Sequence, residues 1–461
     1  LEPYSALLPS PPLEVLRLLE RKQSMPEKTS GGINTLYLGS SELMPGLPSA
    51  TFADEDKSVS SGEAGSAGKC LGKRALLVLL FVLLHQAEAH PDIGAAFASI
   101  GDPREGGEEA SIAAPVNFGK LLQALLADLQ AEENTYLLYC LVVKNPSFRS
   151  YCQKQANKVL QPILEILTAL PAAPDGKVLA SAPPFATALM LTLLCLTGDA
   201  GFCEHASKIR VADARSILGN ARSLQDVSLS SLLVAVLLRI GHWNFGACRD
   251  AFFNQAVAGV LGNLAGHGLE NVNWYTASRL LEVAGLLARN AVKLPMPSDK
   301  AGSSLAEAAD LHRARMVRVL LRSLLRLLSS CLRVPRLTTN CALVYALQRD
   351  YPAQFTPLEA DPDLGPPLIH VRTTIDWFEA QCPPSDEGDT RVDAQSAKLQ
   401  EASKRLPPEL MALASVAGAS ISAYAETATA TAYFLPVIWR AAHALIPEHV
   451  CWGRPSANSK K

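Results

Sequence analysis

The chain has 461 residues, with 42 Lys and Arg against 44 Asp and Glu; 48% of the residues are hydrophobic and 19% are charged. This composition excludes a chain that is disordered throughout, and the near-zero net charge argues against general polyanion binding. Aromatic residues make up only 6%, so the apolar content is mostly Leu, Ala and Val, which favours helices over β-sandwiches.

Composition shifts along the chain predict six segments. The first 20 residues hold a short amphipathic helical segment, and the next stretch is a flexible loop rich in Ser, Gly, Pro and Glu. A long series of helices follows, then Pro-, Gly- and acid-rich connections around a further helix, C-terminal helices and a disordered tail. The predicted boundaries are 1–20, 21–73, 74–358, 359–390, 391–452 and 453–461.

The most apolar run, Ala75–Leu84, has ten residues, whereas a membrane-spanning helix needs about 20. We therefore expect a buried helix here and no spanning segment. Further on, Pro162 suits the first turn of a helix that ends at Leu170. Asp226 and Ser228 are both N-cap candidates for a helix over Leu229–Ile240, and Gly241 is the candidate for its C-terminal boundary.

Pairs of adjacent leucines and other apolar residues recur along the chain, roughly one apolar helix every ~40 residues, which is the size of HEAT and armadillo repeats. A single helical pair cannot bury its own apolar face, so neighbouring pairs must stack. The predicted fold class is therefore all-α, an α-solenoid of stacked helical pairs. A compact irregular helical bundle is the alternative.

The sequence contains no phosphate-binding loop, dinucleotide fingerprint, zincin motif or nucleophile elbow. Cys203 and His205 are two residues apart, which on a helix points their side chains in different directions. His242 and Cys248 are too few ligands for a metal site. We predict no catalytic, cofactor-binding or metal-binding residue, no cofactor and no enzymatic activity.

One pattern rises above this background. The stretch from 311 to 349 contains eight arginines and no acid. Five of them fall within about 80° of a helical wheel, opposite a face of leucines. This arginine stripe consists of Arg315, Arg318, Arg322, Arg326 and Arg333. It is the candidate contact for an anionic membrane surface or an acidic partner.

The same stripe is also compatible with the solvated outer face of a solenoid helix whose leucines are core. Nucleic acid is disfavoured as a partner because no aromatic residues alternate with the arginines to stack on bases. Nothing in the sequence predicts a small-molecule substrate.

Several apolar strings occur along the chain in a fixed order. The main ones are NTYLLYC at 134–140, QPILEIL at 161–167, VSLSSLLV at 227–234, NCALVYAL at 340–347 and FLPVIW at 434–439. In their order and approximate spacing, these strings resemble the dymeclin family. The resemblance is strongest over residues 115–350.

The resemblance implies a non-enzymatic helical-repeat protein of Golgi organisation and vesicle-mediated trafficking, related to the high-temperature-induced-dauer proteins. It implies a peripheral protein that exchanges between the cytosol and the cytosolic face of the Golgi membrane, with partners in the trafficking machinery. The family also has an N-terminal region, opening in some members with Met-Gly, a candidate for N-myristoylation that would lie outside this chain. The alternative function is a soluble solenoid adaptor that binds acidic peptides without membrane contact; a ladder hinted at by Asn263, Asn273 and Trp274 would serve it.

Overall fold

The structure is a computed structural model that describes residues 75–86, 91–102, 114–172, 182–218, 225–294, 305–383, 392–407 and 433–439. The predicted segments 1–20, 21–73 and 453–461 lie outside the described residues, as do parts of the other three. The described residues are mostly helical, which confirms the all-α prediction.

The helices in chain order are α1 (75–81), α2 (Pro91–Ala98), α3 (Phe118–Ala127), α4 (Glu132–Lys144), α5 (Pro146–Lys154), α6 (Ala156–Ala169), α7 (Pro184–Thr197), α8 (Ala200–Lys208), α9 (Arg215–Leu218), α10 (Leu229–Ala247), α11 (Ala251–His267), α12 (Trp274–Lys293), α13 (Leu305–Cys331), α14 (Cys341–Asp350), α15 (Gly365–Gln381), α16 (Val392–Ser403) and α17 (433–439). Helix α1 continues into a π-helical turn at Val82–Gln86, and 3-10 turns lie at Leu170–Ala172, Arg336–Thr339 and Ala353–Leu358.

Two short strand pairs accompany the helices, although the sequence pattern did not predict any strand. Strand β1 (Ile100–Gly101) pairs in parallel with β2 (Ala114–Pro115). Strand β3 (Arg210–Asp213) pairs antiparallel with β4 (Gln225–Ser228), with Val211 opposite Val227. These pairs are too short to show an alternating apolar pattern, so the periodicity could not reveal them.

The chain divides into two compact units, Leu1–Ala89 with Ala425–Lys461, and His90–Tyr424. In the first unit, α1 buries Leu77 and Leu80 and leaves Val78 exposed. The rings of Phe81 and of Trp439 on α17 form a T-shaped pair with a centroid distance of 5.0 Å. The run predicted as a buried helix is therefore helical but only partly buried, since Val78 and Leu79 are 64% and 40% exposed.

In the second unit the helices pack in two rows. In one row α4 packs on α7, α7 on α11, α11 on α13 and α13 on α15. In the other, α6 packs on α10, α10 on α12, α12 on α14 and α14 on α16. The rows also meet, since α10 contacts α11, α12 contacts α13 and α14 contacts α15. The apolar core therefore lies between and within the rows.

Polar side chains cap several helix starts in this unit, because an Asn, Asp or Ser oxygen can accept an otherwise unpaired backbone N–H. Ser228, for example, accepts from Ser231 N at 3.2 Å, which confirms the predicted N-cap of α10. Further side-chain caps among the described residues are Asn117, Asn145, Asp199, Asp250 and Asn273.

Two predicted helix boundaries are wrong. Helix α10 runs on to Ala247, so Gly241 lies inside it. A Cβ on Gly241 would meet the Leu320 side chain of α13 at 3.4 Å, so the glycine allows close packing rather than ending the helix. Helix α6 begins at Ala156, so Pro162 lies in its interior.

Candidate interaction surface

The arginine stripe lies on α13, the helix of the first row that packs against α11, α12 and α15. Its opposite face is buried as predicted. The buried leucines are Leu320, Leu321, Leu324, Leu325, Leu327 and Leu328. Because these side chains fix the rotation of the helix, they also fix the direction in which the arginines point.

Arg318 is taken up by an internal ion pair. Its Nη2 lies 2.5 Å from Asp361 Oδ2, and the two side chains are only 12% and 10% exposed. Asp361 also accepts the backbone N–H groups of Asp363 and Leu364 at 2.9 and 3.1 Å. Burial of Asp361 opposes ionisation, but the hydrogen bonds from Arg318 and from these backbone groups outweigh it, so its pKa lies below the usual value.

Arg322, one turn further along α13, contacts Asp363 through Nη2 and Oδ2. This pair is much more open, with side chains 34% and 54% exposed. The Nε of Arg322 is buried and has no hydrogen-bond partner. Two aspartates of the connection between α14 and α15 therefore form ion pairs with two arginines that lie one turn apart on α13.

Arg315 is exposed and Arg326 is half-buried. Within the described part of the chain, neither makes an ion pair or a side-chain hydrogen bond. Among the stripe residues on α13 itself, these are therefore the two whose charges no carboxylate of the described residues pairs with.

Arg333, the last member of the stripe, is turned towards the interior beyond the end of α13. Its Nε and Nη2 atoms are buried without a hydrogen-bond partner. Burial, together with the charge of Arg336, lowers its pKa. Nearby, Ser329 Oγ and His370 Nδ1 share a hydrogen bond of 2.8 Å. Burial and then the charge of Arg333 lower the pKa of His370 to about 4.

The five arginines of the stripe therefore differ in their contacts. Arg318 and Arg322 form ion pairs with aspartates, and Arg333 points towards the interior. Arg315 and Arg326 make no ion pair within the described residues. Asp361 and Asp363 were not identified from the sequence; they lie beyond the acid-free stretch, after Asp350 and Glu359. Contact with a membrane or an acidic partner stays a prediction, now centred on Arg315, Arg322 and Arg326.

The thiol–imidazole pair considered in the sequence is not assembled. Cys203 is buried and donates to the carbonyl of Thr197 at 3.3 Å, whereas His205 is exposed. Burial, and then the charge of Asp199, raises the pKa of the Cys203 thiol to about 12. Among the residues that the structure describes, no three His, Cys, Asp or Glu side chains are grouped so as to hold a metal ion.

Asparagine side chains tie the stacked helices together. Asn263 of α11 donates to the Leu194 carbonyl of α7 at 3.2 Å. Asn340 donates to the carbonyls of Leu269 and Cys331 at 2.8 and 3.1 Å, and its Oδ1 accepts from Val272 N at 3.0 Å. These amides point into the stack.

The three side chains suggested by the sequence as a ladder for peptide binding are therefore mainly engaged in contacts within the protein. Asn263 is fully buried, and Asn273 caps α12 by accepting from Thr276 N at 2.8 Å. Trp274 is half-buried between the ring of Tyr345 and the guanidinium of Arg349, which lies 4.6 Å from its centroid.

By length and composition, Leu229–Ala247 could cross a membrane, and the bent pair Pro184–Thr197 and Ala200–Lys208 passes the same test jointly. The α10 helix is 72% buried in its most apolar window. It packs on α6, α8, α11 and α12. A core helix has this composition when apolar neighbours surround it on several sides.

Comparison with known proteins identifies relatives along most of the chain. The family profile described as "Dymeclin: Dyggve-Melchior-Clausen syndrome protein" matches residues 3–441. Dymeclin of Drosophila melanogaster is 23% identical over 334 residues, which is 69% of this chain and 46% of that protein. Dymeclin of Xenopus laevis is 24% identical over 344 residues (70% and 47%), and that of Gallus gallus 26% over 280 residues (58% and 39%).

The matched stretches span less than half the length of these relatives. No solved structure gives a significant match.

Proposed function

Because the chain belongs to the Dymeclin family, we propose that it is a non-enzymatic scaffold in Golgi organisation and vesicle-mediated trafficking. The scaffold is an α-solenoid of HEAT or armadillo type. It associates reversibly with the cytosolic face of the Golgi membrane and binds protein partners of the trafficking machinery. The observation that carries the proposal is the pair of helix rows, one of which presents open arginines on α13.

The two rows support a solenoid because α7 and α11, which are neighbours in one row, run in the same direction. Ala182 N, before α7, donates to Asp250 Oδ2, before α11, and the far ends meet through Gly198 and His267. Helices repeated in this way can build a long surface from neighbour-to-neighbour contacts alone. Such a surface suits many shallow protein contacts rather than one reactive pocket.

Reversible membrane contact is supported by the charge left open on α13. Basic groups close to an anionic leaflet contribute roughly 1 kcal/mol each, and salt screens them strongly. Arg315 and Arg326, with Arg322 behind Asp363, therefore provide one weak signal. Stable anchoring needs a second signal.

The test is vesicle co-sedimentation of the whole chain at low and physiological salt. Arg315→Glu with Arg326→Glu is expected to abolish binding to anionic vesicles. The matched control reverses two exposed cations on α12, Arg289→Glu with Lys293→Glu, and is expected to retain binding. Equal loss in both double variants would mean that the α13 surface is only a solvated face.

Imaging with a Golgi marker tests localisation in cells. The α13 double variant is expected to shift from the Golgi to the cytosol, and the α12 double variant is not. If both variants and the unchanged chain stay diffuse, the Golgi proposal fails for these residues. Retained Golgi staining without any vesicle binding would instead favour a protein-borne address, and with it the adaptor that binds acidic partners through Arg315 and Arg326.

A further inference from the structure

Two aspartate–arginine contacts lie two residues apart in the connection before α15, and they differ sharply in burial. The Arg318–Asp361 side chains are 12% and 10% exposed, whereas the Arg322–Asp363 side chains are 34% and 54% exposed. Asp361 is further held by two backbone N–H groups. The first contact is therefore part of the fold, and the second one can exchange its partner.

We propose that Arg322 and Arg326 form a binding site for the phosphomonoester headgroup of an anionic lipid, and that Asp363 occupies this site as a built-in competitor. The inference rests on the proposed membrane contact and specifies its chemistry. The two arginines are i and i+4 on α13, which places their Cβ atoms about 5–6 Å apart on one face.

The donors on these two arginines fit a phosphate better than they fit the single carboxylate present. Arg322 uses Nη2 for Asp363 while its buried Nε has no partner. Arg326 makes no ion pair within the described residues. A phosphomonoester carries about two negative charges and three acceptor oxygens, so it can engage both guanidinium groups at once, and arginine binds phosphate in a bidentate manner.

The exposure of the Asp363 contact makes this exchange feasible. Exposed ion pairs contribute about 0–1 kcal/mol, so a doubly charged headgroup displaces the carboxylate at little cost. Loss of the competing carboxylate should then tighten binding by roughly two- to fivefold. Arg318 takes no part, because opening its buried pair would leave charges without partners.

The experiment measures binding of the full chain to phosphatidylcholine vesicles that contain either a phosphatidylinositol monophosphate or charge-matched phosphatidylserine. Asp363→Asn is expected to tighten binding to the phosphomonoester vesicles two- to fivefold and to change phosphatidylserine binding little. Arg326→Gln is expected to weaken phosphomonoester binding about tenfold.

The matched control is Asp376→Asn, which removes an acid of similar exposure from an ion pair with Arg372 on α15. It causes the same change of net charge and is expected to leave vesicle binding unchanged. Thermal melts of each variant verify that the fold is retained. The soluble inositol phosphate headgroup is expected to compete with the vesicles more effectively than inorganic phosphate.

Equal tightening by Asp363→Asn and Asp376→Asn would overturn the inference, as would an equal response to both lipids or a failure of the soluble headgroup to compete. In each of these cases the proposed membrane contact would stand. If the unchanged chain binds no anionic vesicle at all, the membrane contact fails and this inference fails with it.

Discussion

Asn340 joins three segments of the second unit through one buried side chain, so its truncation tests how the helix stack is held. Its amide contacts Leu269 and Val272 in the connection between α11 and α12, and Cys331 at the end of α13. Asn340→Ala removes three hydrogen bonds and leaves two carbonyls and one N–H unpaired in a site with no solvent exposure.

Each unsatisfied buried group costs about 1–3 kcal/mol, and relaxation recovers part of it. The expected loss in the free energy of unfolding is therefore ~3–5 kcal/mol. Asn340→Asp keeps the shape but sets a carboxylate against two carbonyl oxygens, so it should destabilise at least as much. Urea unfolding followed by far-UV circular dichroism measures both variants.

Asn157 provides the matched control for Asn340. It is exposed on α6 and accepts only from the adjacent Lys158 N at 2.9 Å. Asn157→Ala should change the unfolding free energy by no more than about 0.5 kcal/mol. A loss below about 1 kcal/mol for Asn340→Ala would refute the role of the amide as a bridge between stacked helices.

Three further predictions concern conformation and charge. Gly268 has φ 89°, and a Cβ there would overlap a neighbouring guanidinium, so Gly268→Ala should lower the free energy of unfolding by ~2 kcal/mol. Gly246 has open space around it, so Gly246→Ala should raise the free energy of unfolding by about 0.5–1 kcal/mol. Thermal unfolding measures both variants, and equal effects would contradict this prediction. The pKa of His370 in the folded state is about 4, below its unfolded value. The free energy of unfolding should therefore be at its full value above about pH 6.5 and fall by ~2 kcal/mol by pH 5. In urea unfolding at several pH values, His370→Gln should abolish this pH dependence. Asp361→Asn should lower the unfolding free energy by about 3 kcal/mol and Asp363→Asn by less than about 1 kcal/mol; similar losses would mean that the two contacts are not different in kind.

The class of fold was predictable because the apolar pattern dominates this chain. Leucine runs such as those of α10 and α13 became buried helix faces. Helix ends were harder, because the same residue type serves two purposes. Gly241 does not end α10; its lack of a side chain allows Leu320 of α13 to pack closely against the helix. Pro162 sits inside α6 because tertiary packing holds the helix across it.

The sequence separation between packed helices was only partly predictable from the leucine runs. Ser231 of α10 and Thr276 of α12 are 45 residues apart, close to the expected interval of ~40. Leu194 of α7 and Asn263 of α11 are 69 residues apart, because further helices and the β3–β4 pair lie between them in the chain. Connections carry no apolar periodicity, so their contribution becomes visible only when polar bonds such as that of Asn263 identify the partners.

The charge that the arginine stripe presents could not be predicted from the sequence of α13 alone. A helical wheel places five arginines on one face, but it contains no information on acids that arrive from 41 or 43 residues further along the chain. Because the connection that carries Asp361 also carries Asp363, one segment both anchors α15 to α13 and controls the charge that α13 presents. A substitution in this connection can thus alter surface charge without altering the fold, provided that it falls on Asp363 and not on Asp361. The difference in exposure between the two pairs is what makes these effects separable.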